Sequence, residues 1–522
     1  MEGSSLRSFD APKAQVSLFD ALLAAARTHG LKKPILEDQE RKPLTYLELI
    51  RASFALGRKI AGLTERGEHV GVMLPSSAGA VVTFFALHAF GRVPTMLNFT
   101  SGIRNLKAAC ALAGVKRVLT SHRFVEQGKL HDLIDALETI AEVTYLEDVR
   151  RTIGLPDKLF ALAAGALPYR FRTPTSPSDP GVILFTSGSF GAPRGVVLTN
   201  ANLVSNVRQI SAHIALDPAW TFFNPLPIFH VFGLTGGVLL PLLEGMKAFE
   251  YPSPLHAKVI PGLVKDCGAS VLLATDTFVN QYARASESDE LAHLQFVVCG
   301  AERVREETHR LIADRFGPVP LLEGYGATEA SPVIAVNKPD DNRHGTVGGL
   351  LPGVEYRLDP VPGIPGGGRL MVRGPNIMAG YLAPGGGIEP PAGGWHDTGD
   401  VVSVSDDRWV KILGRVKRFA KVGGEMVSLT AAEDLASTVW PECRHAVVAV
   451  ADPKKGERLV LVTDRRDADP AALLAHAQAI GAPEIAVPRR IIRTGEIPVL
   501  GTGKTDYVAL QRIVDAELGR GA

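Results

Sequence analysis

The chain has 522 residues, 46% of them apolar and 21% charged, with a formal net charge of +1. That length calls for more than one hydrophobic core, and that apolar share excludes a chiefly disordered or collagen-like chain. Near-neutral charge gives no general attraction for nucleic acid or an anionic membrane, although it leaves room for a local basic face.

The polar N-terminus, residues 1–15, lacks the apolar run of a secretory signal. Residues 18–26 read as a helix, 70–74 as a buried strand, 81–90 as a helix and 115–119 as another strand. Such alternation predicts a parallel-type sheet covered by helices. Residues 155–172 form an apolar stretch ending in arginines. It is expected to be a core-facing helix running into a basic loop; the alternative is a helix lying on a membrane surface. A Pro/Ser/Thr-rich connector at 173–180 leads into a short strand at 182–185. The most apolar stretch, 232–246, is too short to span a membrane and carries Gly236, Gly237, Pro241 and Glu244. Strands follow at 270–275 and 296–299. Beyond residue 345 short strands broken by glycine and proline suggest a β-rich subdomain, and from about 416 alternation resumes, with strands at 446–450 and 459–463. Cys110, Cys267, Cys299 and Cys443 lie too far apart for a disulfide framework or a thiolate metal site. They read as reduced thiols, and a cytoplasmic setting is expected.

The most informative segment follows directly on the 182–185 strand: Thr186-Ser187-Gly188-Ser189-Phe190-Gly191-Ala192-Pro193-Arg194-Gly195. Its glycines allow several backbone N–H groups to converge on one anion. Thr186, Ser187 and Ser189 add hydroxyl donors, and Arg194 adds a charge suited to phosphate. The pattern reads as a polyphosphate-binding loop. The competing reading is a polar surface turn that happens to hold an arginine.

This segment resembles the phosphate loop of the adenylate-forming superfamily of acyl-CoA synthetases, luciferases and peptide-synthetase adenylation domains. The other signatures follow in the family's order: residues 224–230 ending in His230, then Cys299-Gly300-Ala301-Glu302, then Gly324-Tyr325-Gly326-Ala327-Thr328-Glu329. His396-Asp397-Thr398-Gly399-Asp400, Gly414-Arg415-Val416-Lys417 and Gly503-Lys504 complete the set. The resemblance implies an α/β fold with an N-terminal body over 1–415, including the β-rich subdomain at about 345–415, and a mobile α+β cap over 416–522. It also implies ATP and Mg²⁺.

In that family a carboxylate attacks the ATP α-phosphate, and a thiol then attacks the acyl-adenylate. Carried over, Glu329 would hold Mg²⁺, Thr328 and Arg194 would contact phosphate, and Thr186, Ser187, Gly188, Ser189, Gly191 and Gly195 would cradle it. Gly300, Ala301, Glu302, Gly324, Tyr325 and Gly326 would form the adenine side. Asp400 would accept the ribose hydroxyls beside Arg415. Lys504 would bridge the carboxylate and the α-phosphate. Lys417 would be the hinge for cap rotation, and His230, Gly423 and Gly424 would border the acyl and thiol passage.

Two residues depart from the family pattern. Phe190 stands where Thr or Glu is usual, and Arg194 where Lys is usual. A missing charge-assisted hydrogen bond at Phe190 would weaken binding by about 1.5–3 kcal/mol. That departure motivates a non-catalytic nucleotide or acyl binder as one alternative.

Longer stretches, 414–429, 251–256, 374–378 and 498–506, are similar to the acyl-ACP synthetase half of bifunctional 2-acylglycerophosphoethanolamine acyltransferase/acyl-ACP synthetases. The expected activity is therefore activation of a medium- or long-chain fatty acid and its transfer to acyl carrier protein, with CoA as the close alternative acceptor. The chain opens on synthetase sequence, so the acyltransferase half is expected to be absent. A literal HxxxxD at His309 to Asp314 sits in an amphipathic helical pattern and is set aside as chance. A basic face near Arg415, Lys417, Arg418 and Lys421 suits an acidic carrier protein and CoA phosphates equally. No nucleic-acid partner is expected, and any membrane contact would be weak and peripheral.

Overall fold

The computed structural model describes residues 8–187, 193–287, 290–362, 364, 366–423, 425–453, 456–499 and 505–519. Two large sheets dominate the N-terminal part. One is nine-stranded and runs, in spatial order, from Gly349–Leu350 through Val333–Val336, Leu321–Gly326, Phe296–Cys299, Val271–Ala274, Thr221–Asn224, Lys247–Glu250 and Pro34–Asp38 to Leu44–Thr45. Its central strands pair in parallel and are almost wholly buried, so they read as short unbroken apolar runs. Both edges are antiparallel.

The second sheet is eight-stranded, with Val93–Met96, His69–Val72, Arg117–Thr120 and Glu142–Tyr145 in parallel at one side. At the other side Pro180–Ser187 and Pro193–Thr199 form an antiparallel pair, joined in turn by Gly380–Leu382 and Ile388–Glu389. The strands predicted at 70–74, 115–119, 182–185, 270–275 and 296–299 are all present, and the fold is α/β as expected. The phosphate segment differs in one respect. Thr186 and Ser187 end one strand and Pro193, Arg194 and Gly195 open its antiparallel partner.

The helices between strands start where capping chemistry predicts. Thr45 caps Tyr46–Ala61 and Glu48 reaches back to the Thr45 N–H, so two otherwise orphaned donors are satisfied. Ser17 and Ser77 cap Leu18–His29 and Ala78–Ala89 in the same way. One core spans both large sheets and their helices.

Residues 355–415 hold a four-stranded antiparallel sheet, Glu355–Pro360, Gly368–Arg373, His396–Val404 and Val410–Arg415. A five-stranded sheet follows, made of Glu425–Ser428, Phe419–Val422, Gly456–Thr463, His445–Asp452 and Arg490–Arg493. It carries a separate apolar cluster on each face, one against the helix Leu429–Val439 and the other against Tyr507–Glu517.

Cys110, Cys267 and Cys299 are buried free thiols, and burial pushes the first two up to about 11. They are inert packing residues rather than nucleophiles. The helix Leu155–Ala166 meets the core as expected, but through Phe160, Ala161, Ala164 and Gly165 rather than its leucines, which point outward. No helix among the described residues is long and apolar enough to cross a membrane.

Candidate active site

Parallel sheets expose converging loops at the carboxyl ends of their strands, where ligands find backbone donors and acceptors. The expected adenine-side residues lie there. Phe296–Cys299 ends in Gly300-Ala301-Glu302, and the neighbouring Leu321–Gly326 carries Gly324, Tyr325 and Gly326 in register beside it. A Cβ on Gly326 would sit 2.0 Å from the Pro332 carbonyl oxygen, so only glycine lets the chain fold back there. Ala301 adopts a left-handed φ of 69°. Glu302 is committed locally. Its Oε2 accepts from the N–H and the hydroxyl of Thr277, at 3.1 and 2.9 Å, anchoring the start of Asp276–Ala285.

The Tyr325 hydroxyl donates to Asp400 Oδ2 at 2.6 Å, and Arg415 Nε donates to Asp400 Oδ1 at 2.8 Å. Strand pairing sets this up, since Asp400 and Arg415 are direct partners across the antiparallel sheet. Burial, followed by the Asp400 charge, pushes the Tyr325 hydroxyl well above its ordinary range. It stays a donor. A buried carboxylate flanked by a ring and a guanidinium is suited to receiving a polar, hydroxyl-bearing group.

Glu329 lies in the short 3₁₀ turn Thr328–Ala330, immediately beyond the same strand. The turn is held from the other side. Met378 N–H donates to the Glu329 carbonyl at 2.8 Å, Asn376 Nδ2 to the Ala330 carbonyl at 2.9 Å, and Ser331 Oγ to the Asn376 carbonyl at 2.8 Å. The segment 374–378 is therefore a buckle for the Thr328–Glu329 turn. Tyr381, from the strand paired with Pro193–Thr199, donates its hydroxyl to Glu329 Oε1 at 2.7 Å. The Arg194 guanidinium lies 3.5 Å from the centre of the same ring. Arg194, Tyr381 and Glu329 thus form one continuous unit, and Thr186 is the strand partner of Arg194. His396 is buried beside them. Burial pulls its pKa below the ordinary 6.5, against the opposing pull of Glu329, so it stays neutral at physiological pH.

Glu329 fits a Mg²⁺ ligand on its donor chemistry. It is a hard carboxylate with one oxygen held by Tyr381, and Mg²⁺ is commonly bound by one or two carboxylates, with phosphate oxygens and water filling its shell. When bound, the ion would offset charge on the phosphates. Among the described residues no group of three or more His, Cys, Asp or Glu forms a metal cage.

The segment after Asn224 forms a floor. The strand Thr221–Asn224 delivers Asn224, whose Nδ2 donates to the Gly233 carbonyl at 3.1 Å and to Glu250 Oε2 at 2.9 Å. This ties the π-helix Phe232–Leu239 to the carboxyl end of that strand. A Cβ on Gly237 would fall 2.1 Å from the Asn224 amide, so glycine there makes room for the tie. Glu250 is wholly buried, and burial raises its pKa well above the carboxylate range. The Phe232 ring packs against the space a Cβ would take at both Gly236 and Gly300. It marks the junction between the apolar floor and the residues expected on the adenine side. His230 lies at the floor's entry, in tilted contact with Phe229.

The structure therefore brings Thr328, Glu329, Arg194, Thr186, Tyr325, Asp400 and Arg415 to one end of the sheets. Gly188, Ser189, Phe190, Gly191, Gly424 and Lys504 lie outside the described residues. Ser187 ends its strand, Lys417 lies in the turn Val416–Arg418, and Gly423 follows Phe419–Val422 with a φ of 62°. Sequence reading missed Tyr381, Asn224 and the packing of His396. Tyr381 carries no local signal, because its role comes from a strand partner almost two hundred residues away.

A family model described as "AMP-binding enzyme" matches residues 22–382. The chain belongs to the AMP-binding enzyme family. It is an AMP-forming acid–thiol ligase that uses ATP with Mg²⁺. A 4-coumarate–CoA ligase from Oryza sativa is 30% identical over 452 residues, 78% of this chain and 75% of the relative. A long-chain-fatty-acid–CoA ligase from Yersinia pestis is 26% identical over 84% of each chain. Among solved structures, the anthranilate CoA ligase AuaEII in complex with anthranoyl-AMP superposes with a TM-score of 0.83 at 18% identity, covering 98% of this chain and 100% of that one. ATP-bound MatB from Rhodopseudomonas palustris gives 0.82 at 24% identity, covering 96% and 99%. These establish the fold.

Proposed function

We propose that this ligase activates a medium- or long-chain fatty acid and transfers it to the phosphopantetheine thiol of acyl carrier protein. In the first half-reaction a carboxylate oxygen attacks the ATP α-phosphorus, the bond to the β,γ-phosphates breaks, and pyrophosphate leaves. In the second, the thiol sulfur attacks the acyl carbonyl and AMP leaves. The observation that carries the reading is the unit of Arg194, Tyr381 and Glu329 facing the Asp400–Arg415–Tyr325 cluster. Positive charge and fixed donors at one end, and a ribose-type acceptor at the other, answer the need to stabilise charge crowding at phosphorus. The apolar Phe232–Leu239 helix suits the non-polar part of an acid, and the fatty-acid reading rests on the resemblance to acyl-ACP synthetases.

Carrier protein as acceptor rests on the resemblance of 414–429 and 498–506 to acyl-ACP synthetases. CoA is the second reading, favoured by relatives named as CoA ligases. A panel of fatty acids offered with each acceptor decides between them. Acyl carrier protein should shift on a gel in an ATP- and fatty-acid-dependent way, whereas CoA thioester formed in its place would replace the first reading with the second. No pyrophosphate release with any acid would leave only a nucleotide or acyl binder.

Lys504 is assigned the bridging role between the carboxylate and the α-phosphate, so Lys504→Ala should abolish acyl-AMP formation while sparing thioester formation from supplied acyl-AMP. Unchanged adenylation in that variant would remove the role.

A further inference from the structure

The helix Leu155–Ala166 is turned inside out for a surface helix. It packs on Tyr46–Ala61 through Phe160, which meets the Phe54, Phe90 and Phe171 rings, and through buried Ala161, Ala164 and Gly165. The leucines face away. Leu155, Leu159 and Leu162, spaced i, i+4 and i+7, are 69%, 57% and 48% exposed, and Leu167 continues the stripe at 58%. A helix that served only to cover a core would place its leucines inward and its alanines outward.

The surroundings of the stripe are basic. Lys158 stands on the helix beside the leucines, Arg150 and Arg151 precede it, and Arg170 follows; all four are exposed. Between this helix and Tyr46–Ala61 runs an apolar groove of about 290 Å³, floored by Ala52, Ala55 and Ala161 and flanked by Arg51 and Lys158. Arg51 Nε is buried there without a hydrogen-bond partner. The nearby acids are already engaged. Asp157 is buried and paired with Lys59 and Arg58, Asp20 with Arg172, and Asp148 with Arg151 and His122. Arg151 is taken up by Asp148, so Arg150, Lys158 and Arg170 carry the positive charge that this face presents.

We infer that this face docks reversibly on an anionic lipid bilayer, with the leucines entering the acyl boundary and the cations meeting the head-group phosphates. Exposed leucines rimmed by lysine and arginine are the pattern of an interfacial helix, and complementary charge selects an anionic surface. The inference is independent of which thiol accepts the acyl group. Docking would place the ligase where long-chain acids partition.

Co-sedimentation tests it, using the full chain with vesicles of phosphatidylcholine alone or with about 30 mol% phosphatidylglycerol. The chain should partition to the phosphatidylglycerol vesicles, and less so at high salt. The triple variant L155Q/L159Q/L162Q should lose about tenfold in partitioning, and Lys158→Glu with Arg170→Glu should lose binding to the anionic vesicles. Both variants should retain fatty-acid-dependent pyrophosphate exchange and an unchanged elution volume. The inference is overturned if the unaltered chain ignores anionic vesicles or if the triple variant binds them equally. It is also overturned if the unaltered chain is a dimer without lipid that the triple variant dissolves, because the face would then join two copies.

Discussion

Glu329 is held in place before any nucleotide arrives, and the Tyr381 hydroxyl is what holds it. Tyr381→Phe keeps the ring beneath Arg194 and removes only that donor. A hydrogen bond to a charged group contributes about 1.5–3 kcal/mol, or roughly one to two decades in an equilibrium constant. The variant should therefore need more Mg²⁺ for half-maximal adenylation. Titrating Mg²⁺ against pyrophosphate exchange checks this, and an unchanged Mg²⁺ requirement would assign Tyr381 to packing alone. A second residue-scale prediction concerns His88, which lies fully buried with its ring 4.6 Å from Phe84. Burial lowers its pKa from 6.5 to about 3. The unfolded chain thus takes up a proton that the folded chain refuses across that window. The stability His88 contributes is complete above about pH 6.5 and falls by about 1.4 kcal/mol per pH unit as the pH drops towards 3. His88→Asn should flatten the change in denaturant midpoint between about pH 7 and pH 5. An identical slope in the variant would place the sensitivity elsewhere.

At the scale of elements, the π-helix Phe232–Leu239 is an apolar run whose glycines are demanded by its neighbours. Gly237 leaves room for the Asn224 side chain, and Gly233 approaches the Pro227 carbonyl so closely that a Cβ would lie 2.4 Å from it. Gly237→Ala should destabilise the chain by about 1–3 kcal/mol through overpacking, read as a lowered denaturant midpoint. A midpoint unchanged from the parent would show that Asn224 can swing aside. Elements of this kind mark the limit of sequence reading. The strands at Val271–Ala274 and Phe296–Cys299 were legible because a buried parallel strand is a short apolar run between turns. The outward leucines of Leu155–Ala166 were not, since periodicity gives two faces and cannot say which one meets the core. The ties of Asn224 and Tyr381 were equally hidden: Asn224 reaches Glu250 on the neighbouring parallel strand, and Tyr381 reaches the Glu329 turn from a strand of the other sheet.

At the scale of the molecule, the order of the signature segments was legible along the whole chain, and the sheets explain why they sit together. Parallel crossovers deliver Gly300 and Gly324 to adjacent strand ends, and antiparallel pairing sets Asp400 opposite Arg415. The C-terminal sheet has its own internal fastening. Arg418, next to Lys417, pairs with Glu433 at 2.5 Å and lies 3.8 Å from the Tyr507 ring centre, and Tyr507 also donates to Glu433. This buried cluster links the segment after the expected hinge to the residues just beyond Lys504, so the two would travel together. The body contacts this domain through Arg303 and Asp434. Together these parts are proposed to assemble a site for acyl-adenylate formation. Exchange of labelled pyrophosphate into ATP reads that step. Exchange should require both Mg²⁺ and a medium- or long-chain fatty acid and collapse in Lys504→Ala; exchange absent with every acid, or independent of acid, would contradict acyl-adenylate formation at this site.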